Sequence, residues 1–288
     1  YKLGGVLSLT IADYMQTLGF NNYWQITFLI LCVIIVIFNI LLLFVNENNS
    51  LSRLQTQRHN DLTIEKKFGE QNVFKKPIIW ITSTVVSPII SFFKKNGFKV
   101  ALAILSFVFL FKIGEAFLGR MSVIFYKEIG FTKSDIAIYS KGLGWISTVI
   151  FTLIGGLFAI RSGVIKAMFV SGVLMASTNI LFSVLAWSEK SEFLFAIAVI
   201  FDDMAAAFAT VAFVAFISML VDRNYTATQY ALLASIGTAG RTMMASSSGA
   251  LVDWLNGDWG IFFILTALMV IPSLVFLYLI KEKIKIYE

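Results

Sequence analysis

Seven ionisable side chains stand inside otherwise apolar runs of this 288-residue chain, and they are the residues that could do chemistry. Lys112, Glu115 and Arg120 share one run (FKIGEAFLGR), and Lys141 lies in the next. Asp202 and Asp203 sit in a third (VIFDDMAAA), and Arg241 in a fourth (GTAGRTMMA). A charge surrounded by hydrocarbon is costly enough to need a partner, water or a function. Arginine offers a carboxylate a planar fork of donors and stays charged where water is scarce. A carboxylic acid can take up a proton, since burial favours its neutral form and a neighbouring cation its ionised form. The set therefore suits a polar cavity in which Arg241 holds an anionic group and Glu115 or Asp202 carries a proton. The competing reading is a charge cluster (Lys112, Arg120 and Asp203 included) that only orders a bundle.

Helices must position these groups. At 100° per residue, Lys112, Glu115 and Arg120 fall within about 140° of one face. At ~1.5 Å of rise per residue, Glu115 and Arg241 each lie ~22 Å from one end of their runs, and Asp202 ~27 Å. Opposite charges on three helices thus reach a similar depth. A second stripe, Lys141, Trp145, Thr148 and Thr152, follows i, i+4, i+7, i+11 on another helix. A cation, an indole and hydroxyls in that order suit a sugar or peptide bearing carboxylates. The alternative is that Trp145 packs on a neighbour and the threonines bond their own backbone. Small residues such as Ala205, Ala209, Gly155, Gly237 and Gly240 are expected to let helices approach closely.

Composition sets the solvent of that bundle. Hydrophobic residues make up 58% of the chain, charged residues 14%, and the mean hydropathy is +0.83. Soluble domains carry about 25% charged residues. Of the 40 Asp, Glu, Lys and Arg residues, 13 fall in residues 46–99 alone. The remainder reads as apolar runs of membrane-spanning length, roughly 20 residues each. The expected spans are Lys2–Leu18, Trp24–Val45, Val100–Tyr126, Ser134–Ile160, Lys166–Trp187, Phe193–Leu220, Thr226–Val252 and Gly260–Ile280. A soluble enzyme, a nucleic-acid-binding domain and a disulfide-stapled secreted protein are excluded. With one cysteine, Cys32, and one histidine, His59, neither a metal site nor a Ser-His-Asp triad is expected. No catalytic residue and no cofactor is assigned.

Alternating the connections between two sides puts 16 Lys and Arg on the side of the long loop and C-terminus, against 3 on the other. By the positive-inside rule that side is cytoplasmic. The chain divides into two helices (1–45), a basic linker (46–99) and six helices (100–288). Within the linker, Ile78–Phe93 is apolar but short and interrupted by Pro88, and it is expected to lie along the membrane surface. Two helices, a linker and six helices reads as the end of a six-plus-six transporter, with its last two N-terminal-half helices and a complete C-terminal half. A natively eight-helix protein is the alternative.

The loop GLFAIRSGVIK (Gly156–Lys166) resembles the cytoplasmic loop motif of the major facilitator superfamily. Gly156, Arg161, Gly163 and Lys166 fit the motif, while Ile160 stands where it has Asp. FKIGEAF (Phe111–Phe117), SKGLGWIST (Ser140–Thr148), the run Val199–Leu220, YTATQYALLASIGTAGR (Tyr225–Arg241) and YKLGGVLS (Tyr1–Ser8) are similar to stretches of the AmpG muropeptide permeases, relatives of acetyl-CoA transporters. Asp202-Asp203 replaces an expected Glu-Asn pair. The resemblance implies import of anhydro-muropeptides, anionic glycopeptides, across the bacterial inner membrane with protons. It marks Arg241, Lys141, Trp145 and Thr148 for substrate and Glu115 and Asp202 for protons. Another facilitator moving peptides, sugars or a CoA ester shares the same pattern, and so does a degenerate scaffold without transport.

Overall fold

The computed structural model describes residues 2–44, 82–132, 135–222 and 225–284. The described residues form helices and turns, with no strand. Helices occur at all eight expected positions. Six of them are long and apolar enough to cross a membrane: Tyr23–Leu42, Phe98–Glu128, Ile138–Ser162, Val164–Trp187, Glu192–Leu220 and Trp259–Ile284. The protein is an all-α polytopic helix bundle.

Two compact units divide the chain, Tyr1–Arg58 and His59–Glu288. In the first, α1 (Lys2–Thr17) turns through Gly19 into α2 (Tyr23–Leu42). α1, at 16 residues, falls short of a full span. α2 is apolar all round and exposes Phe28, Val33, Ile37 and Phe38, a surface made for lipid or for other helices.

Among its described residues the second unit opens with a π-helical stretch, Thr82–Val86, leading into α3 (Ser87–Asn96). Of the surface helix expected over Ile78–Phe93, residues 78–81 lie outside the described residues, and the observed helix runs three residues further, to Asn96. Pro88 does not interrupt it. The ring sits in the first turn, where a missing N–H costs nothing. The longer helices follow: α4 (Phe98–Leu110), α5 (Ile113–Glu128), α6 (Gly144–Ser162) behind a π-helical stretch Ile136–Leu143, α7 (Val164–Trp187) and α8 (Glu192–Leu220). α9 (Thr226–Ala245) runs into the short α10 (Ser248–Trp254), and α11 (Trp259–Leu268) into α12 (Ile271–Ile284).

Apolar side chains of this unit gather in two clusters. One holds Ile104, Phe107, Phe111, Met168, Phe216 and Leu277. The other holds Ile113, Phe117, Phe125, Phe182, Phe195 and Phe263. The boundary between them falls between Phe111 and Ile113 where α4 gives way to α5, between Met175 and Phe182 on α7, and between Val199 and Ala205 on α8. Lys112, Asp202 and Asp203 fall on that boundary. The charged level seen in the sequence is the seam between two aromatic cores.

α3 docks on the end of the bundle where α8 stops and α9 begins. Phe92, only 2% exposed, enters the first cluster. Ser91 donates to Asp222, and Lys95 donates to the Leu220 carbonyl at the C-terminus of α8. The clasp itself is Gln229 of α9, 1% exposed. Its Oε1 accepts from the Asp222 N–H at 2.6 Å and its Nε2 donates to the Pro88 carbonyl at 2.9 Å. Gln229→Ala would leave both backbone groups unsatisfied and should cost roughly 1–3 kcal/mol. Thermal unfolding of the purified protein would register this as a lower midpoint, with proteolysis appearing first in α3. An unchanged midpoint would mean that packing by Phe92 alone holds the linker helix.

Candidate functional site

The site is built around the break between α4 and α5. The helix stops at Phe111, and Lys112 takes a non-helical conformation (φ −96°, ψ 17°) while its carbonyl accepts the first bond of α5 from Ala116. Glu115 thereby falls in the first turn of a new helix, where the positive end of the helix dipole favours a carboxylate. A single unbroken span would not have placed it so.

α9 is brought to this break by a lack of side chain. A Cβ on Gly237 would crowd Phe213, and one on Gly240 would collide with the Phe109 carbonyl oxygen. The next residue is Arg241. Its Nη2 lies 3.4 Å from Glu115 Oε1, and Lys112 Nζ lies 3.2 Å from Glu115 Oε2. Lys112 also donates to Thr210 Oγ1 of α8 at 2.8 Å. α5 and α9 thus meet at one carboxylate, and α8 is tied to it through Lys112. Glu115 Oε2 is sealed from solvent and faces the ammonium by charge rather than by a hydrogen bond. The side chains of Lys112 and Glu115 are 13% and 14% exposed, that of Arg241 49%. The acid is inside, and the arginine extends to a face that the described residues of this unit leave open.

Gly240→Ala is expected to push α9 away from α4 and to separate Arg241 from Glu115. Overpacking of this kind costs about 1–3 kcal/mol. The purified protein should melt earlier in thermal unfolding. An unchanged melting midpoint would show that the close approach does not set the pair.

A second polar contact joins α6 to α8. Thr148 Oγ1 donates to the Gly144 carbonyl of its own helix at 2.7 Å and reaches Asp203 Oδ1 at 3.5 Å. Thr152 bonds the Thr148 carbonyl at 2.6 Å, so both threonines are anchored to their own backbone. Asp203 and Thr210 are seven residues apart on α8, which puts them on one stripe about 10 Å apart. That spacing is legible in the sequence, but nothing there marks Thr210 apart from other hydroxyls. Gln229 is equally silent: a lone amide in an apolar run carries no sign of what it will clasp.

The other expected residues are placed apart from the triad. Asp202 is half-buried, one helical step round from Asp203. Arg120 is exposed and stands outside the ion pairs. Lys141 is exposed on the π-helical stretch, whose wider turn shifts it out of strict register with Trp145, itself 41% exposed. In the loop motif, Gly163 joins α6 to α7 with φ +87° and ψ 152°, a backbone conformation essentially reserved for glycine. Arg161 and Lys166 are exposed on either side of it, and Gly156 packs near Val211. Among the described residues no cluster of His, Cys, Asp or Glu could hold a metal ion.

No family model matches the chain. Individual relatives do. The chain is 32% identical to the AmpG 4 protein of Rickettsia conorii over 286 residues, 99% of its own length. It is 27% identical to AmpG 1 of Rickettsia prowazekii across 99% of its length, and 27% identical to the anhydromuropeptide permease of Escherichia coli K12 across 71%. The matched parts amount to 63%, 66% and 41% of those proteins, so the chain spans less than two thirds of their length.

Proposed function

We propose, because the chain belongs to the AmpG family of membrane transporters, that it is part of a proton-coupled importer of anhydro-muropeptides in a bacterial inner membrane. The observation that supports this most is the triad of Lys112, Glu115 and Arg241, an acid held inside by two cations, one of them reaching an open face. Anhydro-muropeptides join an amino sugar to a peptide with several carboxylates. One carboxylate would take the fork of Arg241, and a second would meet Lys141. The indole of Trp145 and the hydroxyl of Thr148 offer an apolar face and a polar edge to the sugar.

The same triad suggests how protons enter. When a substrate carboxylate takes the guanidinium, Glu115 loses one of its two cationic partners. Protonation then removes the stranded charge, and substrate and proton are carried together. Thr210 keeps Lys112 oriented through the exchange, and Asp202 or Asp203 is the next acid along the seam. The lysine and arginine asymmetry supports a cytoplasmic linker and C-terminus.

Uptake in vesicles tests the reading, with a labelled anhydro-muropeptide set beside a free disaccharide, a tripeptide and a CoA ester. Concentrative uptake of the glycopeptide that collapses with a protonophore is expected. Accumulation of a different solute would assign another substrate to the same fold, and no uptake of any would favour a scaffold.

A further inference from the structure

A groove of about 480 Å³ opens between α7 and α12, lined by Ser162, Lys166, Phe169, Leu277, Tyr278 and Lys281. Its height in the bilayer can be read from the helices. Lys166 lies 21 residues from Trp187 along α7, and Lys281 lies 22 residues from Trp259 along α11 and α12, each about 32 Å. Trp187 packs on Gly260, so the two tryptophans mark one level at the far end of the bundle. The two lysines therefore sit one hydrocarbon thickness away, where headgroups begin.

Chemistry changes with depth inside the groove. Phe169 is three residues deeper than Lys166, and Leu277 four residues deeper than Lys281. The apolar pair thus lies about one helical turn below the cationic pair. Lys281 Nζ lies 3.8 Å from the centre of the Tyr278 ring, which orients the ammonium at the rim. Phe169 is 45% and Tyr278 61% exposed. Glu282 also lines the groove, one residue beyond Lys281. Two lysines outweigh it, and the first turn of α7, which no side chain caps, adds the positive end of its dipole.

We infer that this groove binds one anionic phospholipid, with the phosphate between Lys166 and Lys281 and an acyl chain along Phe169, over the groove floor at Leu277. A zwitterionic lipid brings its own cation to the rim and is disfavoured; a free phosphate lacks the chain that fills the deeper part. The inference needs the membrane-spanning bundle but not the substrate proposed above.

The test uses the full chain, delipidated in a neutral detergent, with lipid retention read by native mass spectrometry. Phosphatidylglycerol should be retained in preference to phosphatidylcholine, and Lys166→Gln with Lys281→Gln should reduce that preference roughly fivefold for each lysine removed. Lys127→Gln with Lys190→Gln, at the opposite end, should leave it intact, and Lys166→Arg with Lys281→Arg should preserve it if the glutamine pair fails to fold. A bimane on Phe169→Cys, made in a Cys32→Ala background, should be quenched by brominated phosphatidylglycerol more than by brominated phosphatidylcholine. Equal retention of the two lipids, an unchanged preference in the glutamine pair, full displacement by inorganic phosphate, or no differential quenching would each overturn the assignment.

Discussion

Glu115→Gln should abolish uphill accumulation of substrate while leaving exchange across the membrane partly intact. The amide keeps the size of the side chain and can still meet Lys112 and Arg241 with its carbonyl oxygen, so the cavity keeps its shape. It cannot take up a proton at any accessible pH. A gradient of one pH unit sustains about tenfold accumulation per coupled proton, equivalent to ~1.4 kcal/mol. In the variant that ratio should fall to about one. Exchange of labelled for unlabelled substrate needs no net proton movement and should survive within a few-fold. The two cations that meet Glu115 make it the first acid to test. If Glu115→Gln still concentrates substrate and Asp202→Asn does not, the coupling acid is on α8. Should both variants still concentrate it, the triad is structural.

The second large effect is expected at Arg241. On the proposed role, Arg241→Ala would remove a charge-assisted pair of hydrogen bonds to the substrate, and losses of this type run to ~3 kcal/mol, or about a hundredfold in kcat/KM. Arg241→Lys keeps the charge and loses the fork, so KM should rise about tenfold with expression unchanged. The fold should tolerate either change better than a wholly buried pair would, because Lys112 remains on Glu115 and Arg241 is half exposed. The double variant with Glu115→Gln should melt earlier than Arg241→Ala alone, because it takes the carboxylate away from Lys112, whose side chain is only 13% exposed. An Arg241→Ala protein with normal KM and normal uptake would place the substrate carboxylate elsewhere, with Lys141 the next candidate.

What the sequence decides by itself is the solvent of this protein and the depth of its charges. Charged residues too sparse for a water-soluble surface, and apolar runs at membrane length, leave only a spanning bundle, because buried backbone groups must be bonded within each helix. The helical rise is constant, so counting residues from a span end is enough to bring Glu115 and Arg241 to one level. Composition likewise marks Gly237 and Gly240 as contact points, since only a missing side chain allows such an approach.

Rotation about each helix axis and breaks along it are another matter. The turn at Phe111–Lys112 follows from packing between two aromatic clusters, and no proline or glycine at those positions announces it. That break puts Glu115 at the start of α5 and lets Lys112 reach both Glu115 and Thr210. Of two adjacent aspartates, it is Asp203 that meets Thr148, a difference of one residue that pattern alone cannot resolve. The π-helical stretch before α6 shifts Lys141 out of the stripe that a strict α-helical period would give. Gln229 finds Pro88, 141 residues away, only because α3 folds back on the bundle end. Local periodicity fixes height along a helix. Which faces meet is settled by side chains far apart in the chain, and so by the tertiary structure alone.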